Sequence, residues 1–465
     1  MLSRPSAILR SPFVTTNPCC RTCHRPFSSL NLPALHERGL IKDMLPDTMG
    51  TRMSEMISKK ETSVYAGFDP TASSLHVGNL LPLIGLLHFQ RAGIKPIVVI
   101  GGATATIGDP SGKKTERERI TSDIVDENAA AIRKNIDNIF ANHKKYLWQS
   151  EEKLPPFTIV NNMKWYKDIN AVDFLGNVGR HIRIGGMLLK DSVQTRLNSS
   201  EGMSFAEFSY QAFQAYDWLH LLKTYNCFLQ IGGSDQMGNM KAGYDLIRKV
   251  TGDSPYSLTV PLITTETGDK FGKSAGNAVW LDSEQTSTFD FYQFFLRSSD
   301  NDAAQYLKLF SFIPEKQLTE VLESHHANPG QRKAQKKLAE QATLLVHGEE
   351  GLKTALQATE ALFNSSVEAL STLNPEVFPS ILGQAFVTNL PLNSSITVLD
   401  TVMQAKCFQE EKDARRVIGA GGVYINHQKT RVADHVIQAG SHILPNNITL
   451  IRIGKKNHYV VRWRS

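Results

Sequence analysis

Two short strings in this chain have the residue types that hold a polyphosphate. His76-Val77-Gly78-Asn79 stands just before a helix-forming run. The first turn of a helix offers unpaired N–H groups and partial positive charge, so an anion is stabilised there. Glycine at 78 would let a nucleotide lie against the backbone, and His76 adds a donor beside it. Farther on, Lys270-Phe271-Gly272-Lys273-Ser274 sets two lysines and a hydroxyl between Gly268 and Gly276. Two cations on a glycine-rich loop suit a clamp on phosphates. Neither this loop nor Gly108-Asp109-Pro110-Ser111-Gly112-Lys113 is a P-loop, because only three residues separate the glycines where that motif needs four. Taken singly, each string is as readily a helix start or a solvated turn.

A third constellation is Tyr210, Gln214 and Asp217, spaced i, i+4, i+7, which one helix face presents together. Phe213 and Leu221 lie close to the same stripe, so the face is at least partly buried. A buried carboxylate needs a partner, and a phenol hydroxyl would suit Asp217.

Elements must position these groups. Ser63–Gly67, Pro96–Ile100, Phe157–Val160 and Cys227–Ile231 read as strands. Leu80, Leu83, Ile84 and Leu87 have helical spacing between the first two. Strand–helix–strand order argues for a parallel sheet, which binds ligands at the carboxyl ends of its strands. Residues 63–297 therefore read as a Rossmann-like α/β catalytic domain. Residues 298–372 are mainly helical, with Arg332, Lys333, Lys336 and Lys337 on one strong helix former. Residues 373–397 resemble a linker. Residues 398–465 form a further module, with a helix near Glu410–Ile418, then Gly421-Gly422 and short β-branched runs.

At the other end, residues 1–36 carry Arg4, Arg10, Arg21 and Arg25 with no acid, and they are rich in serine. That composition fits a mitochondrial transit peptide. Residues 37–62 read as a linker. The net charge of +6 falls to +2 without the leader, so any RNA site must come from local patches. Cys20-Arg21-Thr22-Cys23-His24 matches a haem-attachment pattern, but it would leave with the leader. Cys227 and Cys407 then remain and imply no disulfide framework. No apolar run approaches the ~20 residues of a membrane span.

The order of the strings decides between readings. Tyr65-Ala-Gly-Phe-Asp-Pro-Thr-Ala-Ser-Ser-Leu-His76 leads into Val77-Gly78-Asn79. Gly101 to Lys114, Phe208 to Asp217, Ile231 to Gln236 and Lys270 to Ser274 follow in turn. This set resembles the bacterial and mitochondrial tyrosyl-tRNA synthetases of class I, from about residue 60 to the C-terminus. His76–Asn79 corresponds to that family's HIGH motif and Lys270–Ser274 to its KMSKS loop.

The resemblance implies a tyrosine–tRNA ligase of the mitochondrial matrix that forms tyrosyl-adenylate from ATP and charges tRNA(Tyr). It implies His76, Asn79, Lys270, Lys273 and Ser274 as the groups that neutralise the leaving pyrophosphate. Tyr65 and Asp217 would grip the substrate hydroxyl, and Tyr210, Gln214 and Asp109 its α-ammonium. Asp69, Gly78, Gly233, Asp235 and Lys273 would hold ATP, with Mg²⁺ accompanying the nucleotide and no dedicated protein cage. The family is homodimeric.

Asn79 departs from the usual second histidine of HIGH; it donates hydrogen bonds but carries no charge. Phe271 and Gly272 replace the usual Met and Ser. The last module, Asp413-Ala-Arg415-Arg416 then Gly421-Gly422-Val-Tyr424, resembles an S4-type RNA-binding domain, with Arg415, Arg416, Lys455 and Lys456 as expected tRNA contacts. Two rivals are an RNA-folding factor built on a retired synthetase and a tryptophan-specific relative. Tyr65, His76, Asp217 and Lys273 all stand against the first. An indole has no hydroxyl for Asp217 and Tyr65, which disfavours the second.

Overall fold

The computed structural model describes residues 32–47, 51–59, 61–112, 115, 119–263, 273–274, 277–363, 366–382, 386–392, 395–454 and 457–464. Its first sheet contains β1 (Met44–Leu45), β2 (Ser63–Phe68), β3 (Lys95–Ile100), β4 (Thr158–Asn161), β5 (Leu229–Gly233) and β6 (Tyr256–Val260). Their order is β1-β6-β5-β2-β3-β4, with β1 antiparallel to β6 and every other pairing parallel. The four expected strands are all there, within a residue or two of their expected ends. The chain fills the sheet from β2 outward to β4. It then crosses back to lay β5 and β6 on the other side of β2. That reversal opens a crevice between the carboxyl ends of β2 and β5.

The predicted stripe Leu80, Leu83, Ile84 and Leu87 lies on a helix, Val77–Arg91, but Leu81, Leu86 and Phe89 are buried too. A helix apolar all round is covered all round. Here the sheet lies on one side and the following helices on the other. The expected boundary at residue 297 is therefore no break in packing. Phe291, Phe295, Tyr306, Leu338 and Leu345 share one hydrophobic core with Val64, Leu83 and Ile84.

The N-terminal expectations need correction. Residues 37–62 are not a linker: Leu40 and Ile41 are buried, and β1 covers the free edge of β6. The packed part begins earlier still, because Leu32 and Leu35 of the Leu32–Glu37 helix are buried in the same core. Their i, i+3 spacing gives the helix an apolar side that composition alone conceals. Arg38 then caps the Asp300–Phe310 helix, donating to the carbonyls of Lys308, Ser311 and Ile313 at 3.1–3.2 Å. A cation at a helix C-terminus satisfies carbonyls the helix leaves open.

After the hairpin strands β7 (Lys273–Ser274) and β8 (Asn277–Ala278) comes a second sheet. It contains β9 (Val387–Pro391), β10 (Val423–Ile425), β11 (Gln428–Thr430), β12 (Ile448–Ile453) and β13 (Asn457–Arg464), in the order β11-β10-β12-β13-β9. β9 pairs parallel with β13, so residues 387–391 belong to the C-terminal module and not to a linker. One face of this sheet packs on the Val398–Gln404 and Glu411–Gly419 helices through Val402, Ala414, Ile418, Ile451 and Trp463. The other face sets Ile448, Leu450 and Val460 against Ala358, Ala361, Leu362 and Phe378.

Candidate active site

The carboxyl ends of β2, β3, β4 and β5 converge on a pocket built from polar side chains almost out of contact with water. Asp217, from the Phe205–Tyr225 helix, accepts from Asn162 Nδ2 at 3.1 Å and from Trp165 Nε1 at 2.9 Å. The same Asn162 amide donates its second hydrogen to Thr104 Oγ1 at 3.0 Å. Thr104 donates to Asp69 Oδ1 at 2.7 Å, and Tyr210 donates to Asp69 Oδ2 at 2.8 Å. One unbroken chain of hydrogen bonds thus links Asp217 to Tyr210. Asn162 is its hub, held in place by Ala103 N–H donating to Oδ1 at 2.8 Å.

Burial pushes the Asp217 carboxyl up to about 7, although Asn162, Trp165 and Tyr166 stabilise its charged form. Burial, then the charges of Asp69 and Asp109, holds the Tyr210 phenol well above its ordinary value. Tyr65 on β2 is buried beside Asp217, and its phenol is likewise raised, by burial first and Asp217 second. The Tyr65 hydroxyl is buried with no hydrogen-bond partner. A buried hydroxyl without a partner costs about 1–3 kcal/mol, which a ligand hydroxyl at that place would recover.

Asp109 stands at a second polar centre. It accepts from Gln236 Nε2 at 2.7 Å and from Ser111 N–H at 2.9 Å. Gln236 follows β5, so this contact ties the loop after β3 to the loop that carries Gly233 and Asp235. A Cβ at Gly233 would strike the Asp235 carboxylate, 2.4 Å from its Oδ1.

His76 and Asn79 form the N-cap of the Val77–Arg91 helix. His76 Nδ1 accepts from Gly78 N–H at 3.0 Å, and Asn79 Oδ1 accepts from His76 N–H at 3.1 Å. With Nδ1 accepting, the neutral ring carries its proton on Nε2. Gly78 is required by this arrangement: a Cβ there would sit 2.8 Å from His76 Cε1. The reciprocal bond also gives Asn79 a structural reason to be an amide, since the third helical position of a capping box needs an acceptor.

The segment after β8 reaches the same place. Val77 N–H donates to Val279 O at 3.0 Å and Leu281 N–H to Leu75 O at 2.8 Å, with His76 bridged to Trp280 between them. The backbone of Lys273 and Ser274 is thereby tied to the helix start by a short antiparallel ladder. Lys270 lies outside the described residues.

A profile of the class I tRNA synthetases for tryptophan and tyrosine matches residues 57–364. The chain belongs to that family. A second profile, the tyrosine–tRNA ligase SYY-like C-terminal domain, matches residues 384–461 and so includes β9. Over 448 residues the chain is 50% identical to the mitochondrial tyrosine–tRNA ligase of Drosophila melanogaster, covering 96% of this chain and 97% of that one. The human mitochondrial tyrosine–tRNA ligase is 45% identical, over 93% of this chain and 91% of its own. Among solved structures, a C-terminally truncated mitochondrial tyrosyl-tRNA synthetase of Aspergillus nidulans superposes with a TM-score of 0.65. It is 33% identical and covers 72% of this chain and 94% of its own.

Within this synthetase fold the structure brings Tyr65, Asp69, Tyr210 and Asp217 together and sets Gln214 one turn along the same helix. Asp69, expected among the nucleoside ligands, accepts from Thr104 and Tyr210. Thr104, Asn162, Trp165, Tyr166 and Gln236 were not foreseen. Each is a lone polar or aromatic residue whose partner is distant in sequence, so no local spacing betrays it. In the C-terminal module Arg415 is paired with Glu411 and Asp434, and Arg416 with Asp413. Lys455 and Lys456 lie outside the described residues.

Proposed function

We propose that this synthetase activates L-tyrosine with ATP and esterifies it to tRNA(Tyr). The observation that carries the reading is the buried, partnerless Tyr65 hydroxyl beside the buried Asp217 carboxyl, near a HIGH-type helix start. A substrate phenol donating to Asp217 and accepting from Tyr65 satisfies both. Phenylalanine leaves the Tyr65 hydroxyl without a partner and offers Asp217 no donor, which disfavours it without a separate editing site. Tryptophan offers no hydroxyl at all. A retired body would have no cause to keep such a costly network.

In the first step the tyrosine carboxylate attacks the α-phosphorus of ATP and pyrophosphate leaves with the bonding pair. In the second a ribose hydroxyl at the tRNA 3′ end attacks the tyrosyl carbonyl and AMP leaves. The protein supplies alignment and charge neutralisation. Tyr210, Gln214 and Asp109 receive the α-ammonium, with Asp69 braced behind Tyr210. His76, through Nε2–H, and Lys270, Lys273 and Ser274 are the groups that neutralise the departing phosphates. Gly78, Gly233 and Asp235 take the nucleoside. Mg²⁺ belongs to the bound ATP.

Val172, Leu175, Ile184, Leu189, Leu197 and Phe205 are exposed, Leu189 at 79% and Phe205 at 76%. An apolar surface of this extent suits a second copy of the chain, and we read it as the homodimer contact. Relatives named as mitochondrial support import, with a leader that ends before Leu32 and the matrix as destination. Tyrosine-dependent ATP–pyrophosphate exchange by the purified protein, compared across amino acids, tests the whole reading. Exchange with another amino acid, or with none, would overturn it.

A further inference from the structure

The Ser122–Asn142 helix carries an asparagine at 128, 135 and 142. Residues at this seven-residue repeat fall on one helix stripe. Apolar side chains on such a stripe could simply pack, but amides out of contact with water need hydrogen-bond partners. Each asparagine finds its partner elsewhere in the chain. Asn128 Nδ2 donates to Pro70 O at 3.1 Å. Asn135 Oδ1 accepts from Leu75 N–H at 3.2 Å and lies 3.0 Å from Ser74 Oγ. Asn142 Nδ2 donates to Leu345 O at 3.1 Å and to Val346 O at 3.3 Å. The first two therefore hold the stretch that leads into the His76 cap. The third holds a helix far away in sequence.

Asn142 grips that helix where it breaks. Inside Lys333–Phe363, Gly348 has φ +68° and ψ −168°, a backbone conformation essentially confined to glycine. A break leaves the carbonyls of the preceding turn without helical partners, and Asn142 takes two of them. Straight after Asn142 the chain widens into a π-helical turn, His143–Leu147. A Cβ at 348 would stand 3.1 Å from Asn142 Oδ1 and 3.5 Å from the Tyr146 ring. The stretches on either side of the break reach different parts of the molecule. Leu338, Ala342 and Leu345 share a core with Val77 and Leu80 of the HIGH-type helix. Ala358, Ala361 and Leu362 pack on Ile448, Leu450 and Val460 of the C-terminal sheet. His427, between β10 and β11, touches the Ala361 carbonyl at 2.7 Å.

We propose that the Ser122–Asn142 helix is a ruler between the HIGH-type helix start and the C-terminal module, with Asn142 and Gly348 as the positioning residues at its far end. It sets the angle at which a tRNA held by that module delivers its 3′ end to the adenylate. The proposal rests on the tRNA-charging reading above and takes the RNA-binding resemblance of the module as given. From Asn128 to Asn142 the helix spans about 21 Å, at roughly 1.5 Å per residue. Val125, Ile132, Ile136, Ile139 and Phe140 are buried along it, which keeps that length stiff. Adenylate formation uses only groups at the near end. Transfer to tRNA also depends on the far end, and a misplacement of about 1 Å can cost about 10²-fold in rate.

The test uses the full chain. Exchange, tRNA Kd and single-turnover transfer from preformed tyrosyl-adenylate to a tRNA(Tyr) transcript are measured on each preparation. Asn142→Ala should slow transfer about tenfold and Gly348→Ala about 10²-fold, with exchange within about twofold of wild type and tRNA Kd within about threefold. Asn135→Ala should instead lower exchange several-fold, because it loosens the loop before His76. Asn138→Ala, at an exposed position on the same helix, should change neither. A merely structural role would move exchange and transfer together. That result for Asn142→Ala overturns the proposal, as does unaltered transfer. A loss confined to tRNA Kd also overturns it, since the joint would then serve affinity and not delivery. Asn142→Ala keeps the native glycine and carries the test if Gly348→Ala does not fold. Wild-type protein that shows no tyrosine-dependent exchange would instead sink the tRNA ligase reading itself.

Discussion

The pocket around Asp217 and the sheet around Tyr424 present polar groups in opposite ways. In the pocket nearly every such group is buried and bonded, and the Tyr65 hydroxyl stands out by lacking a partner. Around the sheet Arg415, Arg416 and Arg462 are ion-paired, whereas Lys406, Lys412, Lys429, Arg431, Arg452 and Arg464 belong to no ion pair among the described residues. In the pocket the place proposed for a ligand is where the protein has not supplied its own partner. The environments make the two absences very different in cost. A buried unpaired group costs about 1–3 kcal/mol, whereas an exposed charge is solvated and screened.

The contrast is broken most forcefully at Asp217. Asp217→Ala should lower kcat/KM for tyrosine by about 10³-fold or more, equivalent to roughly 4 kcal/mol. A folded variant that activates tyrosine normally and still rejects phenylalanine would end the pocket assignment. Gly78→Ala should displace the His76 ring and cost on the order of 10–100-fold in kcat of exchange, with KM for tyrosine nearly unchanged. A rise in tyrosine KM alone would place His76 elsewhere in the reaction.

Next in size is a pH effect. The Asp217 carboxyl is raised by burial to about 7, so it accepts poorly below that pH. With one ionisation near 7, kcat/KM for tyrosine should rise about tenfold between pH 6 and 8. The stability sign runs the other way. A raised carboxyl favours folding at low pH, and that contribution fades as pH climbs from about 4 to about 7. A flat profile across that range would mean that Asp217 keeps its charge throughout.

The smallest effect sharpens the comparison best. Raising salt from about 50 to 200 mM should leave KM for tyrosine within about twofold, since buried pairs are little screened. The KM for tRNA should rise over the same range. A salt-sensitive tyrosine KM would show that the pocket is wetter than its packing implies.

Much of this was legible in the sequence, for reasons that differ by residue. Tyr65, Asp69 and His76 lie on one strand-to-helix stretch, and Tyr210, Gln214 and Asp217 on one helix, so local spacing exposes both sets. Asn162 was not legible, because its role comes from meeting Thr104 and Asp217 across 58 and 55 residues. The same holds for β9, whose parallel pairing with β13 joins Val387 to Val460, and for β1, which meets β6 through Met44 and Leu258. Such pairings are set by sheet edges that need cover, and an edge is invisible in a linear pattern. The stretch after residue 31 misled for another reason. Its lack of acids is a property of composition, whereas the burial of Leu32 and Leu35 depends on a surface made by residues far away.

The ladder between residues 75–77 and 279–281 has a consequence for how this enzyme can be altered. It hangs one jaw of the nucleotide cleft from the other, as a door is hung on the frame it shuts against. A single deletion between Ala278 and Leu281 would slip the pairing by one residue and turn Trp280 to the opposite side of the chain. Redesign of the phosphate clamp therefore has almost no freedom of length between Ala278 and Leu281.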